Sequence, residues 1–193
     1  MPLKLHTIIT STRPGRIGPS LATWFHQAAV EHGMFDAELV DLATFGLPVF
    51  DEPKHPMMRA YEHEHTKRWS ASVKRADAFV FVTPEYNFGP PPSLLNALDY
   101  LFHEWHYTPA GFVSYGGAAG AVRAVQVEKL MMTTLRIIPI TEAVTVPVAW
   151  NQIDAAKVFT PNDVQKAAVA PLLNELYRLA QALAPLRAEK SAG

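Results

Sequence analysis

The sequence predicts an α/β domain, a three-layer sandwich with a five-stranded parallel sheet of order 2-1-3-4-5 between two layers of helices. Three observations carry this. Apolar runs of strand length alternate five times with segments of helical periodicity. The third run, residues 78–83, is apolar almost without interruption, as strands covered on both faces are. The segments after runs one, three and four concentrate glycine, proline and hydroxyl residues. With right-handed crossovers, such a sheet reverses its winding between strands 1 and 3, and ligands sit beyond the strand C-termini at that reversal.

The elements follow in order. Residues 5–10 read as a buried strand. Leu21, Trp24, Phe25, Ala28 and Ala29 then form one helical face, which Gly33 ends. Residues 38–42 are the second strand, and 45–56, rich in proline and acidic residues, a loop. Residues 57–75 have helical propensity and enough charge to keep one face wet. After the third strand, Leu94, Leu98, Leu101, Phe102 and Trp105 make a helical stripe. Residues 110–114 are the fourth strand; a glycine-rich loop and a helix to about residue 135 follow, and 137–148 contain the fifth strand. Thr160, Pro161 and Asp163 stand as N-cap, N1 and N3 of a last helix. Pro171 is expected to kink or restart that helix, whose buried stripe continues through Leu172, Leu176, Leu179 and Leu183. Residues 1–186 form a single domain and 187–193 a loose tail.

Bulk properties exclude several function classes. The chain has 193 residues, a net charge of −1 and no cysteine. The charge disfavours a nucleic-acid partner, which calls for a basic stripe. Without cysteine there is no disulfide framework, thiolate metal site or cysteine nucleophile. No apolar stretch reaches the ~18–20 residues of a membrane span, and no secretory signal precedes the first strand, so a cytoplasmic protein without a membrane partner is expected. His55, His63, His65, His103 and His106 invite a metal. No H-E-x-x-H pattern occurs, however, and His63 and His65, at i and i+2 of a helical segment, should point to different faces. No metal is expected.

The functional loops should be residues 11–20, 84–92 and 114–120. The first, "STRPGRIGPS", places glycines, hydroxyls and two arginines at a helix N-terminus, whose unpaired N–H groups and partial positive charge favour an anion. Arg13 or Arg16 can grip a phosphate bidentately; taken alone, a solvated turn explains the segment as well. A P-loop would need Gly-Lys-Ser/Thr and a dinucleotide fingerprint G-x-G-x-x-G, and neither is present. A mononucleotide phosphate remains, with FMN the natural candidate. In "TPEYNFG", Tyr86 and Phe88 could pack along a flat ring while amides near Tyr86 and Asn87 reach its polar atoms. In "SYGGAAG", glycines let the backbone approach a ligand.

Segments 10–18 ("TSTRPGRIG"), 83–101 ("TPEYNFGPPPSLLNALDYL") and 114–124 ("SYGGAAGAVRA") together resemble the NADPH-dependent FMN reductase family, with its azoreductase, quinone reductase and chromate reductase relatives, over residues 4–150 or so. The resemblance implies a flavodoxin-like fold with bound FMN. Ser11, Arg13, Arg16, Ile17, Gly18 and Ser20 would hold its phosphate. Pro84, Glu85, Tyr86 and Asn87 would line its ring and ribityl chain, and Ser114, Tyr115, Gly116 and Gly117 would cap the pyrimidine end. The sequence departs from the family pattern at Leu95, where relatives usually carry lysine, and in the triplet Pro90, Pro91 and Pro92; both bear on the acceptor side.

By the same resemblance, NADPH or NADH would pass hydride through FMN to a small acceptor: a quinone, azo compound, free flavin or metal oxyanion. This needs no catalytic side chain; Asn87 and Tyr115 are the candidates for tuning the flavin. The alternative is a non-enzymatic flavodoxin-like electron carrier or redox-sensing FMN module, against which the small net charge counts. A homodimer or homotetramer is expected, with Trp105, Tyr107 and residues 94–102 either forming a twofold interface or belonging to the core.

Overall fold

The computed structural model describes residues 2–191. Strands β1 (Lys4–Ile9), β2 (Asp36–Asp41), β3 (Ala78–Pro84), β4 (Pro109–Tyr115) and β5 (Ile138–Val146) form one parallel sheet of order β2-β1-β3-β4-β5, as the alternation requires. Every residue of β3 and β4 is buried, whereas the edge strands β2 and β5 mix buried and exposed positions. Period-two alternation along β3 sends Val80 and Val82 to one face and Phe79 and Phe81 to the other. The valine face receives the long helices α1 (Gly18–His32) and α5 (Asp163–Ala182). At Gly111 of β4 an added Cβ would lie 3.3 Å from Leu172 of α5, so helix and sheet approach closely there. The phenylalanine face is filled by Trp69, Leu94, Leu98 and Trp105 beneath α2 (Glu64–Lys74), α3 (Pro92–Asp99) and α4 (Val122–Thr134).

Local chemistry sets the element ends, and several differ from expectation. Gly33 closes α1 at φ 76°. β2 starts two residues earlier than 38–42 and ends one earlier, because Leu42 already opens a 3-10 turn capped by the Asp41 side chain. The expected helix over 57–75 is a 3-10 turn, Pro56–Met58, followed by α2 alone: Arg59 breaks off at φ 51°, and the Glu52 carboxylate holds the amides of Glu62 and His63 outside the helix. His63 therefore precedes α2 with extended backbone, and its ring stacks on His65 at 5.2 Å against Asp51, so the two do not point apart. The stripe from Leu94 to Trp105 is buried except at Phe102 but spans more than one helix. α3 stops at Asp99, where the Trp69 and Trp105 indoles donate to the carbonyls of Ala97 and Leu98, at 2.9 and 3.2 Å. Trp105 is fully buried within this single chain, which places it in the core.

The last helix starts later than expected. Its N-cap is Asn162, in a reciprocal box with Gln165, while the Thr160 amide bonds Gln152. Pro171 does not restart α5, which runs through it as one helix; it and Ala167, whose carbonyl it leaves without a helical partner, are both exposed, so that carbonyl is open to solvent. In place of a loose tail from 187, helix α6 (Ala184–Ser191) continues the chain. Arg187 is buried, donating to Ala180 O at 2.6 Å and Asp77 Oδ1 at 3.2 Å. The end of the expected tail, 192–193, lies outside the described residues. No helix among the described residues is long and apolar enough to cross a membrane.

One buried titratable group lies in β1, away from the strand C-termini. His6 is 1% exposed; neither ring nitrogen has a hydrogen-bond partner, although Nε2 lies 3.3 Å from Glu38 Oε2. Burial lowers its pKa from 6.5 to about 4. The folded protein thus binds fewer protons than the unfolded chain between those values, and stability present above 6.5 is lost as pH falls through 4. In urea unfolding, the wild type is expected to lose about 2 kcal/mol more than His6→Leu between pH 7 and pH 4.5; equal losses would remove His6 from the acid response.

Candidate functional site

The loop after β1 is pinned from below by three neighbouring strands and a helix. The Thr10 amide and hydroxyl both reach Val82 O on β3, at 3.2 and 3.0 Å, and its carbonyl accepts from Ser93 of α3 at 2.5 Å. Ser11 is fully buried; its hydroxyl accepts from the Tyr115 phenol of β4 at 3.1 Å and its carbonyl from the Arg16 guanidinium. Arg16 grips both carboxylate oxygens of Asp41, at the end of β2, at 2.7 and 2.6 Å, and Asp41 Oδ1 also accepts the Ala43 amide at 3.0 Å. α1 opens at glycine for steric reasons: a Cβ on Gly18 would stand 2.6 Å from Ser11 Oγ and 2.7 Å from the Tyr115 hydroxyl.

The outward side of the same loop is unspent. Among the described residues, the amides of Thr12, Arg13, Gly15, Arg16 and Ile17 meet no protein acceptor. Thr12 and Arg13 are exposed, Ser20 is half-buried, and the Arg13 guanidinium bonds its neighbour's carbonyl, Pro14 O, at 3.2 Å. A row of free amides with one available guanidinium at a helix N-terminus is the donor set that a phosphate monoester requires.

The loop after β3 is a tight hairpin. Tyr86 and Gly89 exchange two backbone bonds of 2.9 Å, with Asn87 and Phe88 at φ 50° and 68°. Asparagine tolerates that region and phenylalanine does not, so the turn holds local strain. The Arg123 guanidinium lies 3.8 Å over the Phe88 ring and pairs with Glu85, whose other oxygen faces the Ala124 amide at 3.4 Å. Beneath the hairpin, the Thr83 hydroxyl donates to Glu128 Oε1 at 2.5 Å, while Glu128 Oε2 is buried without a partner. Burial pushes the Glu128 carboxyl up to about 8.

In the loop after β4, Ser114 and Tyr115 are still buried strand residues, and burial raises the Tyr115 phenol above its usual range. The Gly116 and Gly117 carbonyls accept from Ala149 and Val148, at 3.2 and 3.0 Å, which ties the segment after β5 to this loop. Trp150, 59% exposed, reaches within 3.8 Å of where a Gly117 Cβ would stand.

All three loops lie at the C-terminal edge of the sheet and meet: Tyr115 touches Ser11 and pairs in register with Pro84. Of the anticipated residues, Pro84 to Asn87, Ser114 to Gly117 and the set Ser11, Arg13, Arg16, Ile17, Gly18 and Ser20 lie on loops that come together. Ser11, Arg16, Glu85 and Tyr115 use their side chains on other protein groups. Asp41, Arg123, Glu128 and Trp150 escaped sequence reading, since no spacing links them to the loops they touch. Two hollows flank the first loop. A crevice of about 520 Å³ lies between residues 42–49 and α3, lined by Thr12, Leu47, Val49, Leu95, Asn96 and Asp99 among others. A groove of about 940 Å³ runs on the other side, along α1.

Two variants test this geometry. Gly-to-Ala in a helix normally gains up to ~1 kcal/mol; Gly18→Ala should instead lower the melting temperature by about 5 °C, because the Ser11–Tyr115 contact must open. Glu128 is protonated when folded and ionised when unfolded between pH 4.5 and 8, so its burial costs stability progressively as pH rises across that window. Glu128→Gln should match the wild type near pH 4.5 and exceed it at pH 8.5 by on the order of 4 kcal/mol in urea unfolding. A pH-independent difference would contradict this.

Comparison with known proteins agrees with the geometry. Residues 3–151 match the family described as NADPH-dependent FMN reductase. An NAD(P)H-dependent FMN reductase of Schizosaccharomyces pombe is 40% identical over 163 residues, 81% of this chain and 82% of that one. Another from Saccharomyces cerevisiae is 34% identical over 141 residues, 67% and 73% of the two chains. Among solved structures, the flavoenzyme NAD(P)H:(acceptor) oxidoreductase FerB of Paracoccus denitrificans superposes with a TM-score of 0.71 at 19% identity, covering 93% of this chain and 98% of its own, which attests the fold. The chain belongs to the NADPH-dependent FMN reductase family and is an FMN-using, NAD(P)H-dependent oxidoreductase with a flavodoxin-like fold.

Proposed function

We propose that this protein is an NAD(P)H-dependent reductase of small, neutral, planar acceptors of the quinone class. The observation that carries the reading is the first loop: fixed from below and free above, it presents amides and Arg13 where the winding reverses. Bound FMN supplies the chemistry, accepting hydride from NAD(P)H and passing the electron pair to the acceptor. The amides of Thr12, Arg13, Gly15, Arg16 and Ile17, the Thr12 and Ser20 hydroxyls and the Arg13 guanidinium bind the phosphate. Arg16 and Ser11 shape the loop and leave the phosphate to its outer donors. Pro84, Tyr86 and Asn87 on one side, and the Gly116–Gly117 backbone on the other, bracket the ring, with Glu85 bracing its hairpin onto α4. Tyr115 and Ser114 support these turns from below.

The acceptor class follows from the crevice beside α3. Leu47, Val49 and Leu95 give it an apolar wall, and it has no lining cation. An oxyanion needs positive charge there; a quinone needs flat apolar surface and a polar contact, which the second N–H of Asn96 can provide. Asn96 also fixes the wall, donating to Pro48 O at 2.5 Å and accepting the Phe50 amide at 2.8 Å.

The purified protein should take up FMN, turn yellow, and oxidise NAD(P)H much faster with benzoquinone than with chromate. Arg13→Ala should weaken FMN at least about tenfold while leaving riboflavin, which lacks the phosphate, unchanged. A colourless, inactive protein at saturating FMN would refute the reading; equal losses for FMN and riboflavin would remove Arg13 from the phosphate.

A further inference from the structure

One end of the groove along α1 is the first loop, whose donors are given above to the FMN phosphate; the rest of it, running from that loop along α1, has no role assigned so far, and its chemistry is distinctive. Ser20, Thr23, Trp24 and Gln27 recur at i, i+3, i+4 and i+7, so one stripe of α1 presents hydroxyls, an amide and an indole to the hollow. Opposite stand Lys157 and Phe159, on the segment between β5 and α5. Trp24 is half-buried and held edge-on against Phe159, ring centroids 5.2 Å apart. No acidic residue lines the groove.

Lys157 is held in place at a cost. Its φ is 63°, in the left-handed region that strains a lysine and costs glycine almost nothing. Asp154 enforces the turn: its carbonyl accepts the Lys157 amide at 2.9 Å, its side chain the Val158 amide at 2.8 Å, and its own amide donates to Val158 O at 3.1 Å. A bridge between Ile153 and Phe159 closes the small hairpin. Among the described residues the Lys157 ammonium forms no ion pair or hydrogen bond. The hairpin thus holds an uncompensated cation in a backbone conformation suited to glycine, across from an indole and a polar helix face.

We infer that this groove receives the adenosine half of the reduced dinucleotide, with Lys157 on the 2′-phosphate and Trp24 against the adenine. The inference rests on the functional reading above and deepens it, since it makes NADPH, rather than NADH, the preferred reductant. Charge complementarity selects the occupant: away from Arg13, which is given to the FMN phosphate, the hollow offers aromatic surface, hydroxyl and amide partners and the unpaired Lys157 ammonium, and adenosine 2′-phosphate offers a π-face, hydroxyls and a dianion. The groove also borders the outer side of the first loop through Thr12 and Arg13, so a dinucleotide lying in it extends toward the flavin turns.

Lys157→Gly is the incisive variant, because glycine keeps the turn and removes only the charge. It should raise KM for NADPH about tenfold, leave KM for NADH, kcat and bound FMN unchanged, and leave the melting temperature equal or higher. Trp24→Leu should raise KM for both dinucleotides, since both carry adenine. Calorimetric titration of the FMN-loaded protein with adenosine 2′,5′-bisphosphate gives a readout independent of turnover: binding to the wild type, weakened about tenfold in Lys157→Gly. Unchanged KM values with unchanged bisphosphate affinity would overturn the assignment. So would loss of FMN from Lys157→Gly, which would give the lysine to the flavin phosphate. If the wild type oxidised neither dinucleotide, the functional reading would fail, and the titration would still decide the groove.

Discussion

The salt bridge between Arg16 and Asp41 is the constraint on which the ligand-binding edge depends. One guanidinium closes the carboxylate that ends β2 and the Ser11 carbonyl just after β1, and that carboxylate also starts the turn at Ala43. Both partners are about one-fifth exposed, so water screens them only in part, and the bidentate fork fixes direction as well as distance. Together with Tyr115 on the Ser11 hydroxyl and Ser93 on the Thr10 carbonyl, it commits the inward hydrogen-bonding groups of the loop to protein partners. The outward amides are left over as a consequence. A loop free to relax would fold those amides onto its own carbonyls; this one is held where it cannot.

Much of the fold was legible because it rests on patterns local in sequence. The unbroken apolar run of β3 announced a strand covered on both faces, and the five alternations announced the sheet order. Two of the failures share a cause: contacts distant in sequence. Residues 59–63 are not helical, Glu52, ten residues before Glu62, claiming the amides of Glu62 and His63, and α3 ends at Asp99 where indoles from Trp69 and Trp105 claim its last carbonyls. Thr160 looked like a cap because residue type and spacing suited it. Asn162 won because Gln165 could answer it, which no single-residue preference reveals.

The site was legible at the level of segments and less so at the level of roles. Sequence showed two arginines in the first loop and no means of ranking them; the structure ranks them by their partners, Arg16 on Asp41 and Arg13 on nothing beyond a neighbouring carbonyl. Glu85 sat in a recognisable tetrapeptide, yet its partner Arg123 lies 38 positions away. Glu128 left no trace in sequence at all: a glutamate on a charged helix resembles a wet surface residue until α4 is seen to press it against Thr83. Motifs report which donors reach an edge. Which of them stay available is decided by tertiary pairing.

The two faces of the sheet then divide the work around that edge. Valines on one face let α1 and α5 approach closely, and the groove beside them is polar, aromatic and cationic. Phenylalanines on the other face are covered by short helices and indoles, and the crevice above them is walled by Leu47, Val49 and Leu95. Thr12 lines both hollows. On the reading proposed above, a charged nucleotide and an apolar acceptor would find matching surfaces on opposite sides of one pinned turn: a phosphate in the apolar crevice would lose hydration without gaining a cation. Separation of the two substrates needs no moving lid on this account. It follows from which side chains the parallel sheet sends to each face, and from a salt bridge that keeps the turn between them still.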